Sequence, residues 1–426
     1  MDHISIMQRN FRRLYADIFW YGILAGSALA FLTIYAARLG ATAFQIGLLT
    51  AGPAFVNLFV SLPAGRWLEG RPLIEASFWS AAFQRFGYLL LILLPVFFDA
   101  RQQIVVIIVV VLVTSFPGTL MAIGFNAMFA EIVPGEMRSE VVGKRNALLA
   151  VSMTISTLLS GYLLDQISFP LNYQVVFGLG VLGGAMSTYH LAYLRRVPAG
   201  DADIQPGRHA TGLSLAALVH SRNALQKLDK LPLRGGAALR SLARFDLLHG
   251  RFGLFMAAYL LFYTFQYLCI PLFPLAYVDS LRLSDGMISV GSGLFYVTMF
   301  LISIRLKSLA VRFGHRRLLA VSAIALSSYP LLMGLAKGPL LYLGASAAGG
   351  LVYGLVSASL INRLMEVVPE KERAAGMAFH NLALNLGILV GSLAAPILAD
   401  VVGIQEGLLL GAGLRLLAGV LMVLWG

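Results

Sequence analysis

Twelve apolar stretches of about 19 to 27 residues follow one another along this chain of 426, each long enough as a helix to cross roughly 30 Å of hydrocarbon. They lie near residues 18–37, 44–64, 76–98, 103–129, 141–164, 174–194, 252–278, 286–304, 318–336, 339–361, 374–399 and 406–425. With 58% hydrophobic and only 12% charged residues, the composition is far from that of soluble domains, where about a quarter of residues are charged. The expected fold class is all-α: a polytopic membrane protein with 12 transmembrane helices.

One passage occurs twice. At a constant offset of 235, residues 131–165 and 366–400 share Glu131/Glu366, Pro134/Pro369, Arg138/Arg373, Asn146/Asn381 and Asp165/Asp400, besides four apolar identities. Nine matches in 35 positions exceed the roughly two or three expected by chance, and five are not apolar, so shared hydrophobicity does not account for them. Residues 39–46 pair with 281–288 at an offset of 242. Two pseudo-symmetric six-helix bundles are expected, residues 1–194 and 252–426, joined by a linker at 195–251 where Asp, Arg, Pro and Gly return. Within the linker, residues 213–228 and 239–248 have the mixed apolar and basic spacing of surface-lying helices, or of a solvated tether.

A net charge of +12 would suggest nucleic acid for a soluble protein, but here its distribution across the bilayer decides, and no nucleic-acid partner is expected. Of the 32 Lys and Arg residues, 26 fall on one side, while the other holds Arg38, Arg101, Arg282 and Lys337. This bias places both termini in the cytoplasm of a cell bounded by a plasma membrane or bacterial inner membrane. Arg9, Arg12 and Arg13 before the first span, with Ala41-Thr42-Ala43 after it, mimic a secretory signal. An apolar region of about 20 residues is too long for one, and the segment belongs to the duplication, so it is read as an anchor. Cys269 is the only cysteine, which excludes an intramolecular disulfide, and the seven histidines form no cluster with one another along the sequence. Neither a metal nor a cofactor is expected.

Six spans, a long loop and six more spans resemble the major facilitator superfamily. That family's signature between spans 2 and 3 runs approximately G-x-L-A-D-R-x-G-R-K and recurs in weaker form between spans 8 and 9. Here Gly65-Arg66-Trp67-Leu68-Glu69-Gly70-Arg71-Pro72 keeps an acid at Glu69. Leu309-Ala310-Val311-Arg312-Phe313-Gly314-His315-Arg316-Arg317 keeps the basic residues but has Val311 at the acidic position. The resemblance implies cytoplasmic gates at Glu69, Arg71, Arg312 and Arg316, with Glu131, Arg138, Glu366 and Arg373 as latch charges in the repeated 4–5 and 10–11 turns. Topology alone would also put those bases there.

In the superfamily, spans 1, 4, 7 and 10 line a central cavity. Span 7 sets Tyr259, Tyr263, Gln266, Tyr267 and Ile270 at three- and four-residue steps, one polar face on an apolar helix. Span 10 offers Ser346, Gly350, Tyr353 and Ser357, and span 1 offers Tyr21. Asn381 and Asn385 stand one turn apart on span 11, where they could clamp a ligand or tie the two halves together. Arg85 and Arg415 are costly in hydrocarbon; each binds an anionic substrate or pairs with an acid or with helix carbonyls. Asp17 is the candidate proton site, ahead of His190 and His380.

The resemblance implies a non-enzymatic secondary active transporter for a small organic solute, working by rocker-switch alternating access as a monomer in the lipid bilayer, with proton-coupled efflux as one form. The G-x-x-x-G-P-x-x-G-G antiporter stretch is missing from residues 147–161, the family Arg of span 4 is missing, and Arg195-Arg196-Val197-Pro198 replaces the sugar-importer sequence after span 6. The alternatives are a non-transporting receptor or assembly member of the same fold and a lipid-modifying membrane enzyme.

Overall fold

The computed structural model describes residues 3–195, 248, 250–368 and 372–425. The proposed linker helices at 213–228 and 239–248 lie outside the described residues, apart from Leu248. Among the described residues the regular structure is helical, and twelve spans are long and apolar enough to cross a membrane. Spans 1 to 6 are Ile6–Arg38, Ala43–Leu68, Leu73–Phe97, Ala100–Ile132, Gly135–Gln166 and Leu171–Ala192. Spans 7 to 12 are Gly250–Ser280, Asp285–Leu306, His315–Leu335, Pro339–Val367, Gly376–Val402 and Ile404–Trp425. They form the two six-helix bundles of the expected fold. The end at which the first described helix begins, at His3, is termed proximal, the other distal.

Several helices run past the apolar stretch that marks them, because main-chain hydrogen bonding continues where hydropathy falls. The first helix starts at His3 rather than near residue 18. Its polar opening turns are tied down by Asn10, whose side-chain amide donates to the Arg195 carbonyl at 2.8 Å and accepts from the Arg195 N–H at 3.1 Å.

The duplication is written into the helix ends. The helices of spans 4 and 10 stop at Ile132 and Val367, and the next begin at Arg138 and Arg373, both pairs 235 apart. Pro134 cannot extend the span 4 helix, and a single 3-10 turn, Gly135–Met137, leads into span 5. The helices of spans 2 and 8 begin at Ala43 and Asp285, 242 apart, and each is capped by a hydroxyl, Thr42 accepting from Gln45 N–H and Ser284 from Met287 N–H. Two residues earlier the chain takes a left-handed turn in both copies, at Gly40 with φ 84° and at Arg282 with φ 48°. Glycine fills that position at no steric cost in the first copy, and arginine bears the cost in the second.

Within each bundle the helices close on small residues, as apolar helices must when lipid offers no hydrophobic drive between them. A Cβ on Gly183 of span 6 would stand 2.8 Å from the Trp20 carbonyl oxygen and 2.9 Å from the Leu24 nitrogen of span 1. In the second half, a Cβ on Gly391 of span 11 would stand 2.2 Å from the Thr264 carbonyl oxygen of span 7. The halves meet where span 5 crosses span 8 and span 2 crosses span 11, with Gly161 against Ser289 and Gly47 against the Ser392 carbonyl. Span 7 is interrupted near its middle: a helix over Gly250–Cys269, a turn at Ile270 and Pro271, then Leu272–Leu275 and a wider turn at Ala276–Ser280; spans 3 and 9 are broken more briefly, at Tyr88 and at Leu326–Ser327.

Gly183→Leu should therefore cost about 1–3 kcal/mol through overpacking. Gly178→Leu on the same helix, where a Cβ meets nothing within 4 Å, should leave stability unchanged. Thermal unfolding in detergent compares the two, and equal melting temperatures would refute the close approach of spans 1 and 6.

Candidate functional site

A cavity of about 1080 Å³ lies between span 5 on one side and spans 7, 8, 9, 10 and 12 on the other. The first half contributes Gly143, Asn146, Ala147, Leu149, Ala150 and Met153, so its wall there is an amide above small and aliphatic groups. The second half contributes six phenols, Tyr267, Tyr277, Tyr296, Tyr329, Tyr342 and Tyr353, together with Phe273, Phe295 and Phe300. Gln266, Ser292, Ser303, Ser346 and Ser357 add polar atoms, and Arg415 adds the one formal charge among the lining residues.

Of the residues expected at a substrate cavity, Gln266, Tyr267 and Tyr353 line this one, as do Ile270, Ser346 and Ser357. Tyr21, Tyr263, Asn381 and Asn385 are not among its lining residues. Tyr21 lies against the Arg85 guanidinium, 5.7 Å from its carbon. Tyr263 packs edge-on to Tyr259 at 5.2 Å and to His380 at 6.1 Å. Asn385 accepts from the Asn57 amide at 3.4 Å and donates to the Asn381 carbonyl at 2.8 Å, which joins span 11 to span 2 across the halves. Spans 7 and 10 line the cavity as the resemblance implied, but spans 1 and 4 do not, and spans 5, 8, 9 and 12 take part. Around its middle span 1 is enclosed by its own bundle, with Gly22 and Gly26 pressed on span 5 and Gly180 and Gly183 of span 6 pressed on its other side.

The phenols of spans 8 and 9, Tyr296 and Tyr329, stand outside the four spans that the resemblance assigned to the cavity. Tyr277 continues the face of Tyr263 and Tyr267, but the turn at Pro271 resets the helical register and hides the connection.

Both intramembrane arginines are buried. Arg415 on span 12 donates through Nη2 to the Gln266 carbonyl at 2.6 Å and through Nε to the Phe265 carbonyl at 3.4 Å, and lies 5.9 Å from the centre of the Phe273 ring. These carbonyls belong to the last turn but one before the span 7 break, where a helix presents its negative end. Close packing makes the contact possible: Gly411 abuts the Cys269 sulfur, and Gly407 abuts Leu272.

Arg85 belongs to a different cluster, inside the first bundle. Asp17 is 3% exposed and receives Arg145 Nη2 at 3.2 Å, Arg85 Nη2 at 3.9 Å and the Ser187 hydroxyl at 2.5 Å. Arg145 also donates to the Leu14 carbonyl at 2.7 Å, and Arg85 to the Thr188 hydroxyl at 2.7 Å. Asp17 is thus a counter-ion to two guanidiniums and is not among the residues lining the cavity. The second half repeats the arrangement without charge. Tyr259 and His380, displaced by 242 and 235 from Asp17 and Arg145, share a hydrogen bond of 2.5 Å.

At the proximal end, the two signature loops each turn on a left-handed glycine, Gly70 with φ 72° and Gly314 with φ 75°. Glu69, Arg71, Arg312 and Arg316 are exposed, Arg71 lies 4.1 Å from the centre of the Trp67 ring, and Arg312 lies over Phe313. Arg138 donates to the carbonyls of Val133 at 3.0 Å and Ala130 at 2.6 Å, within its own half. Glu366 likewise pairs within its own half, with Arg363 at 3.1 Å and His315 at 4.0 Å. Glu131 is exposed, Arg373 opens the span 11 helix, and Pro369 and the Arg373 side chain lie outside what is described.

The distal end carries a contact that the sequence did not announce. Asp285, at the first position of the span 8 helix, receives Arg38 Nη2 at 3.0 Å, Arg38 Nε at 3.2 Å and the Tyr173 hydroxyl at 2.9 Å, all from the first half. Arg38 Nη2 also donates to the Leu283 carbonyl at 2.5 Å. Asp165 of span 5 accepts from the Gly286 N–H at 3.0 Å and the Ser284 hydroxyl at 2.9 Å, so two carboxylates sit at the positive N-terminus of span 8.

A family model described as Major Facilitator Superfamily matches residues 18–267 and 255–426. No curated protein sequence matches the chain. Among solved structures, a bacterial homologue of the iron transporter ferroportin in an inward-facing state is 13% identical, with a TM-score of 0.71 over 100% of this chain and 99% of that one. The D-xylose-proton symporter is 12% identical, with a TM-score of 0.69 over 98% and 97%. The nucleoside transporter NupG, as a D323A mutant, is 14% identical, with a TM-score of 0.68 over 98% and 99%. At such identities the likeness is one of fold.

Asp17→Asn leaves two buried guanidiniums without their carboxylate and should destabilise the protein by about 3–5 kcal/mol. Tyr259→Phe removes one neutral hydrogen bond at the matching place in the second half and should cost about 0.5–1.5 kcal/mol. Unfolding of both variants in detergent checks the order, and a reversed order would show that the charged cluster does not hold the first bundle.

Proposed function

The chain belongs to the Major Facilitator Superfamily, and from that membership we propose that it is a secondary active transporter, exposing one cavity to each side of the membrane in turn. The cargo is a small organic solute; the structurally similar proteins are described as carrying nucleosides in one case and D-xylose in another. One observation carries the reading. The halves are fastened to each other at the distal end by Asp285 and Asp165, while a cavity large enough for a small solute lies between them.

The Lys and Arg bias supports a cytoplasmic assignment for the proximal end, which makes this an inward-open state. Residues 1–194 and 252–426 act as the two rocking bodies, with 195–251 as the tether. In the opposite state the distal ion pair opens, and the proximal charges at Glu69, Arg71, Glu131, Arg138, Arg312, Arg316, Glu366 and Arg373 close across the halves. The cavity is complete within one chain, which supports a monomer as the working unit. A narrower form of the proposal is export in exchange for protons at Asp17, one of two buried carboxylates among the described residues. Coupling there requires the Asp17–Arg85–Arg145 cluster to rearrange as the cavity closes.

Replacement of Leu158 and Gly293 by cysteine in a Cys269→Ser background tests the cycle. A Cβ on Gly293 would stand 3.3 Å from Leu158 Cγ, which suits a disulfide between spans 5 and 8. Oxidation should abolish flux of any transported solute in proteoliposomes, and reduction should restore it. Flux that persists in the cross-linked protein would exclude rocking about this contact. An imposed pH gradient should drive net flux if export is proton-coupled, whereas indifference to the gradient means facilitated passage.

A further inference from the structure

We propose that the cargo is an organic anion, an acid group on an aromatic or otherwise apolar body, held at its charge by the Arg415 guanidinium. The inference deepens the transporter reading and relies on it for the identity of the site.

Arg415 is the one formally charged side chain among the residues lining the cavity, which hold no Asp, Glu, Lys or His. It is 4% exposed, and a guanidinium at that depth is costly unless compensated. The other two buried arginines, Arg85 and Arg145, share the Asp17 carboxylate, and the partly exposed Arg38 has Asp285. Arg415 differs: among the described residues no carboxylate lies within ion-pairing distance, and its recorded partners are two main-chain carbonyls and the Phe273 ring. Those contacts fix Nε and Nη2 and orient the guanidinium without neutralising it. A charge held in position at the wall of a cavity, with no fixed counter-ion, favours an anion over a neutral or cationic solute of the same shape.

The rest of the lining describes the body of the solute. Six phenols and three phenylalanines line the cavity, so flat apolar groups find ring faces, and phenol hydroxyls and the Gln266 amide supply hydrogen bonds. The volume of about 1080 Å³ is at the upper end of ordinary ligand sites. A bare inorganic anion would leave most of it unfilled, and a lipophilic cation would find no acid.

The test uses the full chain in detergent with three probes of one shape and different charge: 4-phenylbutyrate, its neutral amide 4-phenylbutyramide, and the cation 4-phenylbutylamine. Equilibrium dialysis should show the anion bound about tenfold to a hundredfold more tightly than the other two, as expected for a charge-assisted contact. Arg415→Gln should remove that preference while amide binding stays within about twofold, since the aromatic contacts remain. Arg415→Lys should keep part of it, because the charge stays but the planar fork is lost. No binding of the anion, equal or tighter binding of the amide or amine, or an intact preference in folded Arg415→Gln each overturns the proposal. Should Arg415→Gln fail to fold, the charge series on the unaltered chain still decides. Flux in proteoliposomes separates this inference from the function it rests on. Anion binding without flux defeats the transporter reading and leaves the anion site; flux of the amide or amine in preference to the anion does the reverse.

Discussion

Asp285 is the residue on which the rest of the arrangement depends. A carboxylate at the membrane boundary is stable when its charge is met, and this one is met by the Arg38 guanidinium and the Tyr173 hydroxyl of the opposite half and by the positive N-terminus of its own helix. Asp165 adds a second acid to the same helix end from the span 5 side. Closure at the distal end thus has a definite chemistry, and it is local: the hydrogen bonds at one end of span 8 add to two bundles that otherwise meet through glycine-spaced helix crossings and the Asn57–Asn385 hydrogen bond. The cavity between the halves exists because the fastening is confined in this way.

The duplication explains the frame and its divergence explains the work. Helix ends coincide at offsets of 235 and 242, and so do the left-handed turns at Gly40 and Arg282. At equivalent positions the chemistry has separated. Ala43 opens the span 2 helix where Asp285 opens that of span 8, so one copy carries the distal acid and the other does not. Asp17 and Arg145 form a buried ion pair where the second half has Tyr259 and His380. The first bundle is stiffened by buried charge, and its share of the cavity wall comes from span 5. The second is neutral at that place, has a broken span 7, and supplies the phenols and Arg415. One half holds its buried ion cluster away from the cavity, and the other supplies most of the cavity wall.

The twelve spans, the duplication and the fold class were legible in the sequence because hydropathy over a span and identities at a fixed offset are local or linear signals. Gln266, Tyr267 and Tyr353 were legible as a helical face. Tyr277 was not, since it follows a helix break, nor were Tyr296 and Tyr329, which stand on spans 8 and 9, outside the four that the resemblance assigned to the cavity; Tyr342 opens span 10, more than two turns before the polar face at Ser346, Gly350, Tyr353 and Ser357 is complete. Arg38 read as one of four bases on the sparse side, and nothing in the linear order connects it with Asp285, 247 residues away. Arg145 had no sequence signal of its own, yet it is buried, about two turns into the span 5 helix. Contacts between halves depend on how the bundles pack, which periodicity does not encode.

The central claim is that one distal fastening holds the halves in this state and that its release turns distal closure into proximal closure. Distances between spin labels measure this directly. In a Cys269→Ser background, one pair at the exposed positions Phe44 and Leu340 reports the distal end, and another at Trp67 and Val311 reports the proximal end. The Asp285→Asn substitution should shift the distal pair to longer distances and the proximal pair to shorter ones. Unchanged distributions, or widening at both ends together, would contradict the account.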